Sequence, residues 1–528
     1  MGYTASTFIG EGFVKSAITL SFAIVPILWL LVSIGVFRLS AYKACIAGLS
    51  LSLAIATTFF QMPYRHAFQA ILEGAVLALL PILWVIFAGF YTYNISLETG
   101  AMDVIKRMLS NLSGDRRIQT LAIAWGFGGF LESVAGFGTA VAIPASILIS
   151  LGFKPFFSAL ICLFANTIAV AFGVVGIPVT TLAKVTELPA MTLSLDIALQ
   201  LTPLVILVPF LLIFKITESL AGFKGIWITT LVAGLSFGLS QFLVAKYIGP
   251  ELPAIIGSAI SFGAIVLCAR KFPPAKEWRF PYEETARVTC EKTREAGTFP
   301  EQIIAWMPYL LLLLLVLGTS KLWPQSNEFF SRYKSVVSVY DGAGSKPLYI
   351  DWILTPGTLI MVSAIIGGLI QGISPRNLVV TLVKTLLSLK KTAMTVISIV
   401  SMAKVLSYSG MVGSIAAALA ESTGSFYPVF APLIGALGTF ITGSDTSANV
   451  LFGALQRDVA LKIGADPAWI AAANTSGACA GKLISPQSIA IAVAATGLSG
   501  REGELLGITI KYVCVFIAVL GIITYTFV

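Results

Sequence analysis

The stretch ANTSGACAGKLISPQSIAIA, residues 473–492, begins and ends like a membrane-spanning helix but carries two glycines, a lysine and a proline in its middle. Lys482 is an ionisable group in an apolar segment, and such groups are costly inside a bilayer and commonly functional. Pro486 has no backbone N–H and interrupts a helix. We therefore predict a broken helix with a functional site at the break.

The composition of the whole chain indicates a polytopic membrane protein. Of its 528 residues, 57% are hydrophobic and 11% are charged, whereas a soluble domain carries about 25% charged residues. The net charge of +9 does not indicate a nucleic-acid partner, because the basic residues are scattered over connecting loops, as the positive-inside rule predicts. The six cysteines form no C-x-x-C pair, so we predict no disulfide framework, no metal site and no cofactor.

The charges of the loops predict an orientation in the membrane. Residues 269–301 carry seven Lys/Arg and form the predicted cytoplasmic linker between a first half, residues 1–268, and a second half, residues 302–528. The linker 374–391 has four basic residues and no acid, so it is also placed inside, and alternation places 321–351 outside.

Alternating membrane crossings in both directions from these loops predicts about 12 spanning helices. Both termini fall on the external side. The predicted membrane cores are residues 18–37, 44–61, 70–94, 158–181, 195–217, 226–247, 252–269, 302–320, 352–373, 392–410, 468–493 and 505–528.

Two further apolar stretches do not fit as single spans. Residues 119–150, the first hairpin, and residues 428–458, the second hairpin, each hold Gly, Ser, Thr and an acid near their centre. If each stretch bends in the middle, an arm of about 14 residues measures roughly 21 Å, too short for a hydrocarbon core of about 30 Å. We predict re-entrant hairpins, whose tips must be buried by protein or lie against water.

Each hairpin is followed by a segment with the same pattern. The first broken helix, residues 158–181, and the second broken helix, residues 468–493, both contain Ala-Asn-Thr and place a proline 12 residues after the asparagine. Seven predicted spans separate the hairpins, and this odd number inverts one unit relative to the other. Inverted repeats with interrupted helices near the midplane are typical of secondary transporters.

The breaks supply the candidate site residues. An interrupted helix exposes N–H groups with partial positive charge on one half and C=O groups on the other. Asp445 and Glu132 are the candidates for proton coupling. An acid in a hairpin tip inside a membrane is energetically costly, so a functional role explains it better than a structural one. The candidates for substrate binding are Lys482, Asn166, Thr167, Asn474, Thr475, Ser485, Gln487, Ser444, Thr446, Gly138 and Thr139.

Lys482 is the one fixed positive charge at the centre of either unit, which argues for a small monoanion rather than a di- or tricarboxylate. Its side chain could instead extend to an interface, but it lies about 14 residues into its apolar segment. Gly173, Gly176 and Gly477 either allow close packing between helices or interrupt the helical backbone, and the sequence favours neither role.

Three other polar residues are not assigned to the site. Glu73 and Lys404 lie in apolar segments from which either side chain could reach a headgroup region. His66, the single histidine, lies in a predicted loop, which disfavours a proton relay through it.

Four segments resemble those of a known family. FLESVAGFGTAVAIPA, NTIAVAFGVVGIPV, FITGSDTSANVLFGALQ and ANTSGACAGKLISPQSIAIA are similar to signature segments of the bacterial L-lactate permease family, and the likeness extends over nearly the whole chain. Ser133 and Val134 stand where the family usually has Gly and Ala. The resemblance implies uptake of L-lactate, often D-lactate and glycolate, together with protons across the bacterial inner (plasma) membrane.

Together these observations predict a mechanism. The lactate carboxylate binds between the hairpin tips against Lys482, with Asn166, Asn474, Ser485 or Gln487 on the 2-hydroxyl, and Asp445 or Glu132 carries the proton.

A sodium-coupled carboxylate carrier of the same architecture stays open, because the Asn-Thr backbone carbonyls are suitable cation ligands. A channel is disfavoured because the polar residues cluster at two breaks, and an enzyme because catalytic constellations are lacking.

Overall fold

The computed structural model describes residues 13–35, 37, 39–110, 112–134, 136, 138–280, 298–319, 323–342, 345, 347–498 and 501–528. Part of the predicted linker 269–301 therefore lies outside the described residues. The described chain is almost entirely helical. Its α-helices are Phe13–Gly35, Ala41–Thr58, Tyr64–Leu77, Trp84–Glu98, Ala101–Ser110, Arg116–Thr120, Gly128–Val134, Thr139–Ser150, Pro155–Ala169, Gly173–Thr186, Ala190–Thr217, Trp227–Tyr247, Pro253–Lys271, Phe299–Thr319, Pro324–Ser331, Pro356–Ile370, Pro375–Ser388, Lys390–Tyr408, Met411–Thr423, Tyr427–Thr442, Asp445–Ile463, Pro467–Lys482, Pro486–Thr496 and Glu502–Thr526.

Shorter elements join or interrupt these helices. Two π-helical segments, Ala78–Leu83 and Leu121–Phe127, continue one helix into the next. Two strands, β1 (Lys334–Val337) and β2 (Leu348–Asp351), pair antiparallel within the predicted external loop. The short 3-10 turns are Val170–Phe172, Leu220–Phe223 and Gly424–Phe426.

Every predicted membrane core coincides with a helix or a helix pair. Within the described residues, seven helices are long and apolar enough to cross a membrane, or eight if the pair Pro375–Ser388 and Lys390–Tyr408, bent by 52°, is one span. Four shorter apolar helices add to them. The polytopic helical class is therefore confirmed, and the number of 12 spans stays a prediction.

The predicted linker 374–391 is itself helical over Pro375–Ser388. The Ser374 side chain accepts a hydrogen bond from the backbone N–H of Asn377 (3.2 Å), and Pro375 occupies the first turn. Ser at the N-cap followed by Pro is a helix start signal, which a count of basic residues does not detect.

Both predicted hairpins are helix–turn–helix units. The first turns between Val134 and Thr139, where Gly136 and Gly138 have φ of +55° and +91°. The second turns between Thr442 and Asp445, where Gly443 has φ of +72°. Residues with a Cβ rarely adopt this left-handed backbone, so the glycines fix the position of each tip.

Both predicted broken helices are interrupted where the sequence places them. The first stays helical to Ala169, passes through a 3-10 turn, and then takes left-handed φ values of +44°, +54° and +72° at Val174, Val175 and Gly176. Positive φ is uncommon for a β-branched residue, and such strain occurs most often at functional sites. The second ends its first half at Lys482 and restarts at Pro486, with Ser485 as N-cap.

The two repeats exchange equivalent contacts. The second arm of the first hairpin, Thr139–Ser150, packs on the half-helix Pro486–Thr496. In turn, the second arm of the second hairpin, Asp445–Ile463, packs on the half-helix Gly173–Thr186. A two-fold axis produces this kind of reciprocal contact, as expected for inverted repeats.

Glycines bring the second hairpin close to its broken helix. A Cβ on Gly435 would meet the carbonyl of Asn474, and a Cβ on Gly477 would meet the carbonyl of Pro432. Small residues allow such backbone approach between membrane helices. Gly477 is thus a packing position, whereas Gly176 combines a positive φ with close packing against the Pro250 carbonyl.

Candidate functional site

Lys482 points into the tip of the second hairpin. It is the last residue before the break, it is 9% exposed, and its Nζ donates a hydrogen bond to the Gly443 carbonyl oxygen at 2.9 Å. Gln487, on the half-helix after the break, packs over Gly443. The ammonium group therefore lies at the meeting point of the hairpin tip and the break, and it does not extend to an interface.

Asp445 lies beside this lysine at the start of the second arm. It is 2% exposed, its Oδ2 accepts a hydrogen bond from the Cys479 thiol at 3.5 Å, and its Oδ1 has no partner among the described residues. Cys479 precedes Lys482 by three residues, so both face the same side of their helix. The composition of the segment marks Cys479 as a small buried hydrophobe, and only its helical spacing from Lys482 indicates the site.

Glu132 of the first hairpin lies on the other side of the same centre. It is 3% exposed, its carboxylate accepts a hydrogen bond from the Asn166 side chain, and it lies against Gly173 at the first break. Glu132 Oε2 and Asn166 Oδ1 have no hydrogen-bond partner among the described residues. Unpaired buried polar atoms are rare in proteins, so these atoms are available to a ligand.

The three charged residues form one cluster drawn from both repeats. Lys482 interacts electrostatically with Glu132 and with Asp445, and the two acids also interact with each other. The cluster holds one cation and two acids in a buried centre. The acids already outnumber the cation, so a bound monoanion adds to the negative charge unless a proton accompanies it, and such added charge is strongly disfavoured in low dielectric.

Asn474 and Thr475 belong to a buried amide network. Asn474 donates from Nδ2 to Asn449 Oδ1 (3.0 Å) and accepts at Oδ1 from Gln456 Nε2 (3.1 Å), and Thr475 donates to Asn449 Oδ1 (2.9 Å). Asn449 Nδ2 donates onward to the Pro178 carbonyl of the first broken helix (3.1 Å). The network thus joins the repeats, and Gln456 is a member that the sequence does not single out.

The other candidates occupy the tips and breaks in different ways. The Ser485 side chain accepts from the backbone N–H of Ser488 (3.1 Å), and that of Ser444 accepts from Ser447 (3.3 Å), so both are N-caps. Thr167 donates to the Leu163 carbonyl (3.0 Å) in its own helix.

The remaining predicted positions are near the same tips. Thr446 is 8% exposed and follows Asp445 in the first turn of its helix. Gly138 packs against Ile491 of the second broken helix. Thr139 begins the second arm of the first hairpin, and its side chain lies outside what the structure describes.

Glu73 and Lys404 pair with each other away from the hairpin tips. Lys404 Nζ lies 2.8 Å from Glu73 Oε1, and Tyr408 donates to the same oxygen at 2.6 Å. Glu73 is 1% exposed. The pair joins helices Tyr64–Leu77 and Lys390–Tyr408. Each of the two side chains therefore has its charged partner on a neighbouring helix.

Comparison with known proteins identifies the family. The family profile described as L-lactate permease matches residues 19–528. The chain belongs to the L-lactate permease family. It is therefore a multi-pass membrane transporter rather than an enzyme, and the resemblance read from the four sequence segments is confirmed.

Individual relatives of the L-lactate permease family match over nearly the same length. An L-lactate permease of Streptococcus iniae is 45% identical over 457 residues, which are 87% of this chain and 94% of the relative. An L-lactate permease of Bacillus subtilis (strain 168) is 37% identical, covering 99% and 97%. Glycolate permease GlcA of Escherichia coli (strain K12) is 37% identical, covering 95% and 94%.

Proposed function

We propose that this protein imports L-lactate and related 2-hydroxy monocarboxylates, including D-lactate and glycolate, by proton symport across the bacterial inner (plasma) membrane. The observation that carries the proposal is the buried cluster of one lysine and two acids between the hairpin tips. Relatives named for L-lactate and for glycolate support this substrate class.

The substrate carboxylate takes the place of the Gly443 carbonyl as the partner of Lys482. A carboxylate adds the attraction of opposite charges to the hydrogen bond from the ammonium, which the neutral carbonyl does not, so the exchange is favourable. The N-terminus of the half-helix Pro486–Thr496 adds partial positive charge at the same point. Asn166 Oδ1, which has no partner among the described residues, accepts a hydrogen bond from the 2-hydroxyl. Gln487 packs over Gly443 at the tip of the second hairpin.

Proton coupling follows from the charges of the cluster. With a monoanion bound, the centre holds three carboxylates and one ammonium. A proton on Asp445 reduces the excess negative charge, with Glu132 as the second candidate. Asp445 is placed first because it lies at the hairpin tip that Lys482 contacts, where its Oδ1 has no hydrogen-bond partner among the described residues.

Alternating access arises from movement of the two hairpins and two broken helices against the remaining helices. The amide network around Asn449 makes the two repeats move together, because its hydrogen bonds join the second hairpin to both broken helices. Asn474 and Thr475 act on the substrate through this network.

The proposal is tested with purified protein in proteoliposomes. An inwardly directed proton gradient without sodium is expected to drive accumulation of lactate and glycolate, and a dicarboxylate such as succinate is expected to be excluded by the single lysine. Accumulation that requires sodium and ignores the proton gradient would establish the sodium-coupled carrier instead. Absence of both kinds of uptake would contradict the substrate assignment.

A further inference from the structure

A cavity of about 320 Å³ lies apart from the hairpin tips, against the first broken helix. One wall is the half-helix Gly173–Thr186, from which Ile177, Thr180 and Lys184 line the cavity. Their spacing of three and four residues places them on one helix face. The opposite wall includes Asp351 at the end of β2.

Lys184 is an exposed cation on the wall of this cavity. Within the described chain its side chain makes no hydrogen bond and no ion pair within 4.0 Å, yet it interacts electrostatically with Asp351, which lines the same cavity. Trp84 and Trp352 contribute apolar walls. A concave site with mostly apolar walls and a few convergent polar groups is the usual form of a small-molecule site.

The cavity adjoins the break in the first broken helix. Its wall begins one residue after Gly176, which packs against Pro250, and Glu251 lines the cavity beside it. β2 belongs to the loop 321–351, which the loop charges place outside. The cavity therefore lies at the predicted external end of the molecule and borders the interrupted backbone.

We propose that this cavity is an outer binding site for the small monocarboxylate anion, which Lys184 holds before the anion passes to the hairpin tips. The inference rests on the proposed transport function and adds a second site to it. The substrate carboxylate replaces Asp351 as the electrostatic partner of Lys184, and the Thr180 hydroxyl contacts it from the same helix face. Asp351 thus competes with the substrate for Lys184.

The test is the dependence of initial uptake rate on external lactate in right-side-out membrane vesicles. Lys184→Gln is expected to raise KM on the order of tenfold with Vmax retained, because loss of the lysine leaves Asp351 and Glu251 as the charged groups of the lining, and their negative charge lowers the local anion concentration. Lys184→Arg is expected to keep the wild-type KM, because it keeps the positive charge. Asp351→Asn is expected to lower KM below the wild-type value, because it removes the carboxylate that competes for Lys184. The matched control is Lys246→Gln, an exposed lysine in the last turn of helix Trp227–Tyr247.

Two measurements separate this site from the central one. In inside-out vesicles the KM of Lys184→Gln is expected to equal that of the wild type. In Lys184→Cys, modification with an aminoethyl thiosulfonate, which restores an ammonium, is expected to recover the low KM, whereas a methyl thiosulfonate is not.

Equal KM values for Lys184→Gln and wild type in right-side-out vesicles, or a change shared with Lys246→Gln, would overturn the cavity assignment while leaving the transport function intact. Wild-type vesicles that move neither lactate nor glycolate would overturn the proposed function first, and the cavity assignment with it.

Discussion

At the scale of single residues, the site depends on three side chains that the sequence already marks as unusual. Lys482, Asp445 and Glu132 are charged residues in apolar segments, and each is buried at a tip or a break. In the proposed mechanism their roles differ, because Lys482 supplies a counter-charge for an anion whereas the acids supply places for a proton. Substitution of single residues therefore separates substrate binding from coupling.

Asp445→Asn is expected to abolish proton-driven accumulation while lactate counterflow continues. The amide has the shape of the acid and can still accept from Cys479, but it does not gain or lose a proton at physiological pH. The measurement is accumulation under a proton gradient beside counterflow in proteoliposomes loaded with unlabelled lactate. Asp458→Asn, on the same helix and ion-paired with Arg457, is the control. Undiminished accumulation in Asp445→Asn would remove this acid from the coupling step.

Lys482→Ala is expected to weaken lactate binding more than it slows any other step. Truncating one member of a buried charge pair costs about 2 kcal/mol or more, which is about a 30-fold rise in KM. Initial uptake rates over a range of lactate concentrations measure the effect. Lys462→Ala, an exposed lysine in the last turn of the second hairpin, should retain the wild-type KM. Wild-type KM in Lys482→Ala would show that another group binds the carboxylate.

At the scale of elements, the turn of the second hairpin joins the tip to the break. Gly443 is left-handed, its carbonyl accepts from Lys482, and Gln487 lies where a Cβ would project. The left-handed turn, the hydrogen bond from Lys482 and the contact with Gln487 thus meet at one residue. We therefore expect a change in the geometry of this turn to affect transport more than it affects the stability of the protein.

Gly443→Ala is expected to reduce transport strongly, whereas Gly464→Ala is expected to leave it nearly unchanged. Gly464 ends the same hairpin with φ of +74°, close to the +72° of Gly443, so both variants carry a left-handed strain of about 1–2 kcal/mol. A Cβ at Gly464 meets nothing within 4 Å, whereas one at Gly443 collides with Gln487. Uptake rates normalised to folded protein measure the difference. Equal losses in both variants would attribute the effect to backbone strain alone.

At the scale of the whole molecule, the two repeats are held together by polar contacts between residues far apart in sequence. Asn449 donates to Pro178 and accepts from Asn474 and Thr475. Arg457 of the same arm donates to the Thr186 carbonyl at the end of the first broken helix (2.8 Å). The bonds to Pro178 and Thr186 lie on the reciprocal interface between the second hairpin and the first repeat.

Asn449→Ala is expected to lower the thermal stability of the whole protein. The substitution leaves buried groups of Pro178, Asn474 and Thr475 without this partner, and each unsatisfied group costs about 1–3 kcal/mol. The midpoint of thermal unfolding of the detergent-solubilised protein is the measurement. Asn377→Ala, at an exposed position in helix Pro375–Ser388, should keep the wild-type midpoint, and an unaltered midpoint in Asn449→Ala would argue against a joining role for the network.

The sequence by itself determined the membrane class, the two hairpins, the two broken helices and the three charged residues of the candidate site. These features have local signals, because a charge, a glycine turn or a proline in an apolar run is visible within about 20 residues, the length of one span. The linker 374–391 shows the limit of such signals. Its basic residues predicted a connecting loop, whereas Ser374 and Pro375 begin a helix there.

Only the tertiary structure decided the partners of these residues. Glu73 and Lys404 form a buried ion pair, Cys479 faces Asp445, and Asn449 bonds the Pro178 carbonyl 271 residues away in sequence. A helix or strand period places residues on a face but says nothing about which distant face packs against it. The reciprocal contact of the repeats and the cavity beside Lys184 therefore follow from packing, not from any segment read alone.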